Sequence, residues 1–252
     1  MKVAILGAGR IGGALATLCG EEGLPCDLIT RQQGQVLASE AGNPVLIAVR
    51  NDDLDPVLER VPRARRADLV LIQNGMLRPW LRERGLDQVT RGLLFFAVGR
   101  RGDRPQPGAP SPFTGPHAET MVTWLTRLGL PAEVVDPSTF AAIELEKLIW
   151  NCAFGLLCQV HAADVGVIVD EHMGELSALV TEMAAIGART LGVEFEVLPL
   201  VERLSAYSRS IAAYRGAVKE WPWRNGWFVR CAAEKGIAMP THRALLDRAG
   251  LP

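Results

Sequence analysis

Residues 3–22 read VAILGAGRIGGALATLCGEE. The apolar run Val3 to Leu6 meets Gly7, Gly9 and Gly12 at once, and helical spacing follows from Ile11 to Glu22. A short strand, a G-x-G-x-x-G turn and a helix, in that order, form the signature of a dinucleotide-binding unit. Gly7 permits the tight turn, Gly9 lets a pyrophosphate approach the backbone, and Gly12 lets the helix pack closely on the strand. The helix start offers unpaired N–H groups and partial positive charge to the phosphates. Gly7, Gly9, Arg10, Ile11 and Gly12 are therefore candidate cofactor contacts.

The same rhythm continues outward. Apolar runs recur at Leu24–Thr30, Val45–Val49, Leu69–Gln73 and Leu93–Val98, with helical stretches between several of them. That alternation predicts βαβ units and a parallel sheet. Residues 104–116 hold five prolines in thirteen positions and read as an irregular connection. Ala118–Leu130 resumes a helical pattern. Beyond Pro137 almost only helical periodicity remains. The predicted helices are Ser138–Val160 with Ser138 as N-cap, Asp170–Leu191 stopped by Gly192, Pro199–Arg215, Arg224–Lys235 and Thr241–Arg248. The expected fold class is α/β: a Rossmann-type dinucleotide-binding domain over 1–137, then an all-α substrate and catalytic domain over 138–252.

Composition narrows the function classes. The 252 residues carry 27 basic and 28 acidic side chains, interspersed, for a net charge of −1. A nucleic-acid binder would show a basic stripe, so no nucleic-acid partner is expected. The apolar runs are far shorter than the roughly 20 residues of a membrane helix. Val3–Leu6 is also too short for a secretory h-region, so a cytoplasmic location is expected. The five cysteines are odd in number, form no C-x-x-C pair, and read as reduced thiols. Cys152 and Cys158 read as small buried hydrophobes. His117, His161, His172 and His242 are scattered without a metal spacing such as H-x-x-x-H, so no metal site is expected.

The second predicted strand decides which dinucleotide suits the turn. An NAD enzyme places Asp or Glu at its end for the ribose 2′-hydroxyl. Here Arg31 stands there, followed by Gln32 and Gln33, and a guanidinium suits a 2′-phosphate. Arg50, after Val45–Val49, offers a second contact near the adenosine end. The expected cofactor is NADP(H). In the helical half, Lys147 and Asn151 share one face of an apolar helix. Desolvation would lower the lysine pKa and make it a usable proton donor. The alternative is a lysine that snorkels to water or pairs with Glu144.

The motifs GAGRIGG (7–13), IQNGM (72–76), EKLIWN (146–151) and KEWPWRNG (219–226) together resemble the ketopantoate reductase (2-dehydropantoate 2-reductase) family. The resemblance implies an NADPH-binding Rossmann domain and a helical C-terminal domain of the 6-phosphogluconate-dehydrogenase-like type. It further implies reduction of a 2-oxo acid in a cleft between them, as in pantothenate biosynthesis. By the same resemblance Lys147 and Glu220 are catalytic, and Asn151 and Ser208 bind substrate. Asn74 lies beside the nicotinamide, and Arg31 and Arg50 match the basic positions at the adenosine phosphate. Two departures stand out. Gly155 occupies the place of a second substrate-binding asparagine, and the segment between Arg31 and Val45 is shorter than usual. Two other classes stay open. One is a degenerate NADP(H)-binding sensor or scaffold; the other is a related dehydrogenase of amino or imino acids. A homodimer is compatible with the aromatic residues near the C-terminal helices. Trp221, Trp223, Trp227 and Phe228 are read first as packing between the domains.

Overall fold

The computed structural model describes residues 2–30 and 41–252. The chain divides into two compact units, Met1–Phe140 and Ala141–Pro252.

The first unit is built on one sheet. In chain order it contains β1 (Val3–Leu6), α1 (Arg10–Glu21), β2 (Cys26–Ile29), β3 (Val45–Ile47), α2 (Leu54–Arg60), β4 (Leu69–Leu71), α3 (Arg78–Glu83), β5 (Thr90–Gly92), β6 (Ser111–Thr114), α4 (Ala118–Arg127) and β7 (Ala132–Val134). The strand order is β2-β1-β3-β4-β5-β6-β7. All neighbours run parallel except β5 and β6. β1, β3 and β4 are buried on both faces, which is why they read as unbroken apolar runs rather than alternating ones. The chain passes from β1 outward to β2, then returns to β3 on the other side of β1. This reversal makes the carboxyl ends of β1 and β3 the switch point where doubly wound sheets bind ligands.

Two expectations fail around β5 and β6. Leu93–Val98 is not a strand: the ladder ends at Gly92, and only Ala97 forms a bridge, with Gln106. Its apolar residues serve the core instead, since Leu93, Phe96 and Val98 are buried. Conversely, the proline-rich segment contains β6. Pro112 is tolerated because its carbonyl accepts from the Leu93 N–H where β5 has already ended, and no donor is required of it. Phe113 fills the space beside Gly92, where a Cβ would lie 2.2 Å from its ring.

The second unit is helical. α5 (Pro137–His161) crosses into it. There follow α6 (Val165–Glu171), α7 (Met173–Leu191), α8 (Val197–Ser210), α9 (Asn225–Lys235) and α10 (Pro240–Ala249). The cap of α5 is two residues earlier than expected. Asp136, not Ser138, accepts from the Ser138 and Thr139 amides at 2.8 and 3.1 Å, and Pro137 takes the first helical position, where its missing N–H costs nothing. The expected helix from Asp170 breaks at His172 into α6 and α7. Gly192 ends α7 in the left-handed conformation, φ 68°. Among the described residues no single helix is long and apolar enough to cross a membrane. The five cysteines are free, and Cys152 and Cys158 are buried.

Candidate functional site

The glycine turn behaves as its spacing dictates. Gly7 sits at φ 113°, a conformation L side chains rarely adopt. A Cβ there would meet Ala48 O at 2.6 Å, and one at Gly12 would meet Gly7 O at 1.9 Å. Both positions exclude a side chain because backbone touches backbone. Gly9 differs: its Cβ would find only Ala48 O, at 3.8 Å. The room above Gly9 is not taken up by protein, as a pyrophosphate cradle requires. Gly9 is the N-cap of α1, with no capping side chain and no acidic residue in the first turn. The helix start therefore keeps its amide donors and positive end for an anion. The donor set fits a dinucleotide.

The neighbouring strand ends are held by side-chain amides. Gln73 Nε2 donates to Ile47 O at 2.7 Å and Val49 O at 3.1 Å. Asn51 Nδ2 donates to Asn74 O at 2.9 Å. Asn74 and Arg50 are exposed at these ends, and Arg10 reaches Gly99 O at 3.2 Å. Ile11 is half-buried against the core. Arg31 lies outside the described residues. His117 has a structural role, with Nε2 3.3 Å from Asp68 Oδ1 and its amide donating to Thr90 Oγ1.

The helical unit gathers a second set. Lys147 and Asn151 lie one turn apart on α5, and Asn151 Nδ2 donates to Lys147 O at 2.7 Å. Glu220 comes from the segment before α9, in a left-handed conformation at φ 48°. For a non-glycine residue such a conformation costs on the order of 1–3 kcal/mol. The residue that joins these parts is Arg224, which sequence reasoning missed. Its guanidinium is buried, donating to Glu220 Oε2 at 2.6 Å and to Asn151 Oδ1 at 3.2 Å. Its Nε has no hydrogen-bond partner in the structure. The available signal was a lone basic residue between Trp223 and Asn225 in an otherwise aromatic stretch. Burial pulls the Lys147 ammonium down from its ordinary 10.5 to about 7, and the Arg224 charge adds to the shift.

Two motif positions have structural duties. Ser208 is fully buried. Its hydroxyl donates to Leu204 O at 2.8 Å and accepts from Trp150 Nε1 at 2.9 Å, so it anchors the Trp150 ring. That ring stacks on Phe154 at 5.7 Å and meets Tyr207 edge-on at 5.1 Å. Asn225 is buried, with Oδ1 2.9 Å from His242 Nε2, while burial pulls His242 down to about 4 and so keeps it neutral. Trp227 and Phe228 pack against each other at 4.9 Å in the helical core. Gly155 has a steric cause. A Cβ there would lie 2.9 Å from Ala217 O, because residues 216–218 run directly over this turn of α5. No asparagine fits along that backbone path.

A seven-stranded, mostly parallel sheet with its glycine turn, followed by an all-α unit, defines a Rossmann-type domain joined to a helical domain. Residues 139–250 match the family model described as "Ketopantoate reductase PanE/ApbA C terminal". Solved structures resemble the chain along its whole length. D-mandelate dehydrogenase in complex with NADH superposes with a TM-score of 0.80 at 16% identity, covering 99% of this chain and 98% of the other. The 2-dehydropantoate 2-reductase of Methylococcus capsulatus gives 0.78 at 17% identity, covering 98% and 95%. The PanE/ApbA family ketopantoate reductase of Ralstonia eutropha JMP134 gives 0.74 at 22% identity, covering 99% and 97%. At these identities the likeness is one of fold. No curated protein matches the chain.

Proposed function

We propose that the protein is an NADPH-dependent oxidoreductase that reduces a small 2-oxo acid to the 2-hydroxy acid. The observation that carries this reading is the set around Lys147: a desolvated lysine, an asparagine one turn away, and the Arg224–Glu220 pair. The family of residues 139–250 and the glycine turn support it. D-mandelate dehydrogenase, solved with NADH, is a neighbour of the same fold.

A reduced nicotinamide dinucleotide supplies the hydride. The Gly7–Gly12 turn and the α1 N-terminus would hold its pyrophosphate, with Arg10 and Ile11 beside them and Asn74 near the ring. Arg31 and Arg50 would meet a 2′-phosphate, which favours NADP(H) over NAD(H). Lys147 donates a hydrogen bond to the ketone oxygen and passes its proton as the alkoxide develops. Asn151 fixes the backbone turn that carries Lys147 and orients substrate. Arg224 adds a second cation, which suits a carboxylate. An anionic substrate would also raise the Lys147 pKa and restore the protonated donor. Glu220 pairs with Arg224 and aims it, at the cost of its own backbone strain. The backbone over Gly155 replaces an asparagine hydrogen bond, so the preferred acid need not be ketopantoate; a site lacking such a bond discriminates differently.

NADPH absorbance with a panel of 2-oxo acids, ketopantoate included, tests the reading. The expected result is turnover with at least one acid. The Lys147→Ala variant should lose about 10²–10⁴-fold in kcat while binding NADPH as before. NADPH binding without turnover of any acid would overturn the reading and favour a sensor or scaffold. Turnover that requires an amine would favour an amino-acid dehydrogenase.

A further inference from the structure

The far end of α5 carries chemistry that reduction of a 2-oxo acid does not use. His161 closes α5, His172 occupies the break between α6 and α7, and Glu175 lies in the first turn of α7. The chain separates the two histidines, yet the fold stacks their rings at 3.5 Å with 22° between planes. His161 Nε2 lies 2.5 Å from Glu175 Oε2. One ligand atom from each of the three residues falls within 4.8 Å of the others. All three are only partly exposed.

We propose that His161, His172 and Glu175 form a binding site for a divalent transition-metal ion of the zinc class. Two imidazole nitrogens and one carboxylate oxygen suit Zn²⁺ and its neighbours Co²⁺ and Ni²⁺, whereas Mg²⁺ and Ca²⁺ prefer all-oxygen sets. A tetrahedral ion held at about 2.0–2.1 Å spaces its ligand atoms roughly 3.4 Å apart. The three atoms, within 4.8 Å of one another, reach it once the stacked rings turn apart so that both nitrogen lone pairs converge.

The surroundings are arranged as a ligand support. Arg248 of α10 holds Glu175 Oε1, while Oε2 faces His161 Nε2, so an ion would enter between that oxygen and that nitrogen in place of the proton they share. The Arg248 contact orients the carboxylate, as an outer partner of a metal ligand does. Next to His161, Ala162 holds a positive φ of 52°, and the Arg215 guanidinium binds its carbonyl. The turn that presents His161 is thus fixed by a contact from outside α5. Three protein ligands leave a fourth position for water or a further ligand. Lys147 lies fourteen residues back along the same helix, roughly 21 Å away at 1.5 Å per residue, so this site is separate from the Lys147 set. The ion would tie α5, the α6–α7 junction and, through Arg248, α10 together.

The test uses the full chain and the metal alone. Titration with Zn²⁺ against a chromophoric chelator should give one ion per chain, and Co²⁺ should give the intense visible bands of a tetrahedral site. His161→Ala and Glu175→Gln should each weaken Zn²⁺ binding at least tenfold and abolish the Co²⁺ bands. His117→Ala, remote from the cluster, should change neither. Zn²⁺ should also raise the melting temperature of the wild type and not of the two variants. Glu175→Gln keeps the side-chain size, so it reports on ligation even where His161→Ala unfolds. Absence of stoichiometric binding by the wild type would overturn the proposal. So would undiminished binding by folded Glu175→Gln, or loss of binding in His117→Ala.

Discussion

The glycine turn and the Lys147 set differ in what does the work. At the turn the backbone acts: Gly7 and Gly12 are glycines because carbonyl oxygens occupy the space of a Cβ, and α1 keeps its amide donors. Around Lys147 side chains act, and they arrive from separate segments: Lys147 and Asn151 on α5, Glu220 before α9, Arg224 at its start. A backbone device is local, so one stretch of sequence announces it. A side-chain device assembled from distant segments is announced only by its motifs, and its electrostatics emerge when the segments meet. Arg224 shows this best, since its pairing with both Glu220 and Asn151 exists only in the folded chain.

Substitutions can break this contrast. The largest effect on folding is expected from Gly12→Val, whose side chain has no flexible neighbour to displace. Overpacking against a carbonyl oxygen should cost about 3 kcal/mol or more, read as loss of NADPH binding and of the folded transition in urea. Unchanged NADPH affinity would show that the turn tolerates side chains. Gly155→Asn comes next. Restoring the asparagine should destabilise by about 1–3 kcal/mol through the clash with Ala217, with no gain in ketopantoate turnover. A stable variant with improved turnover would show that residues 216–218 can move aside. Ser208→Ala should have the smallest effect. It leaves Trp150 Nε1 unpaired at a cost of about 1 kcal/mol, lowering the melting temperature while KM shifts little. A large rise in KM with unchanged stability would instead make Ser208 a substrate contact.

The same contrast governs how much was legible from the chain. β1, the turn and α1 follow from residues 3–22 almost to the residue, because apolar run, glycine spacing and helical period agree there. The helical character after Pro137 was equally plain. Leu93–Val98 misled because burial without ladder pairing looks like a buried strand. β6 hid among prolines because one carbonyl acceptor suffices at Pro112. Lys147, Asn151 and Glu220 were reached through motifs, while the cause of Gly155 lies in a backbone path sixty residues downstream. The histidine pair was unreadable because helix breaks, not spacing, bring His161 to His172.

The pH dependence of kcat/KM tests most directly whether Lys147 is the proton donor. A donor acts only when protonated, and Lys147 is pulled down to about 7 by burial and by Arg224. Activity should therefore be highest below about pH 7 and fall tenfold per unit above it. Arg224→Leu removes the neighbouring cation and should move that limb upward, toward the ordinary lysine value, even as it weakens carboxylate binding. A flat profile from pH 6 to 9, or an identical limb persisting in Lys147→Ala, would contradict Lys147 as the group that protonates the ketone.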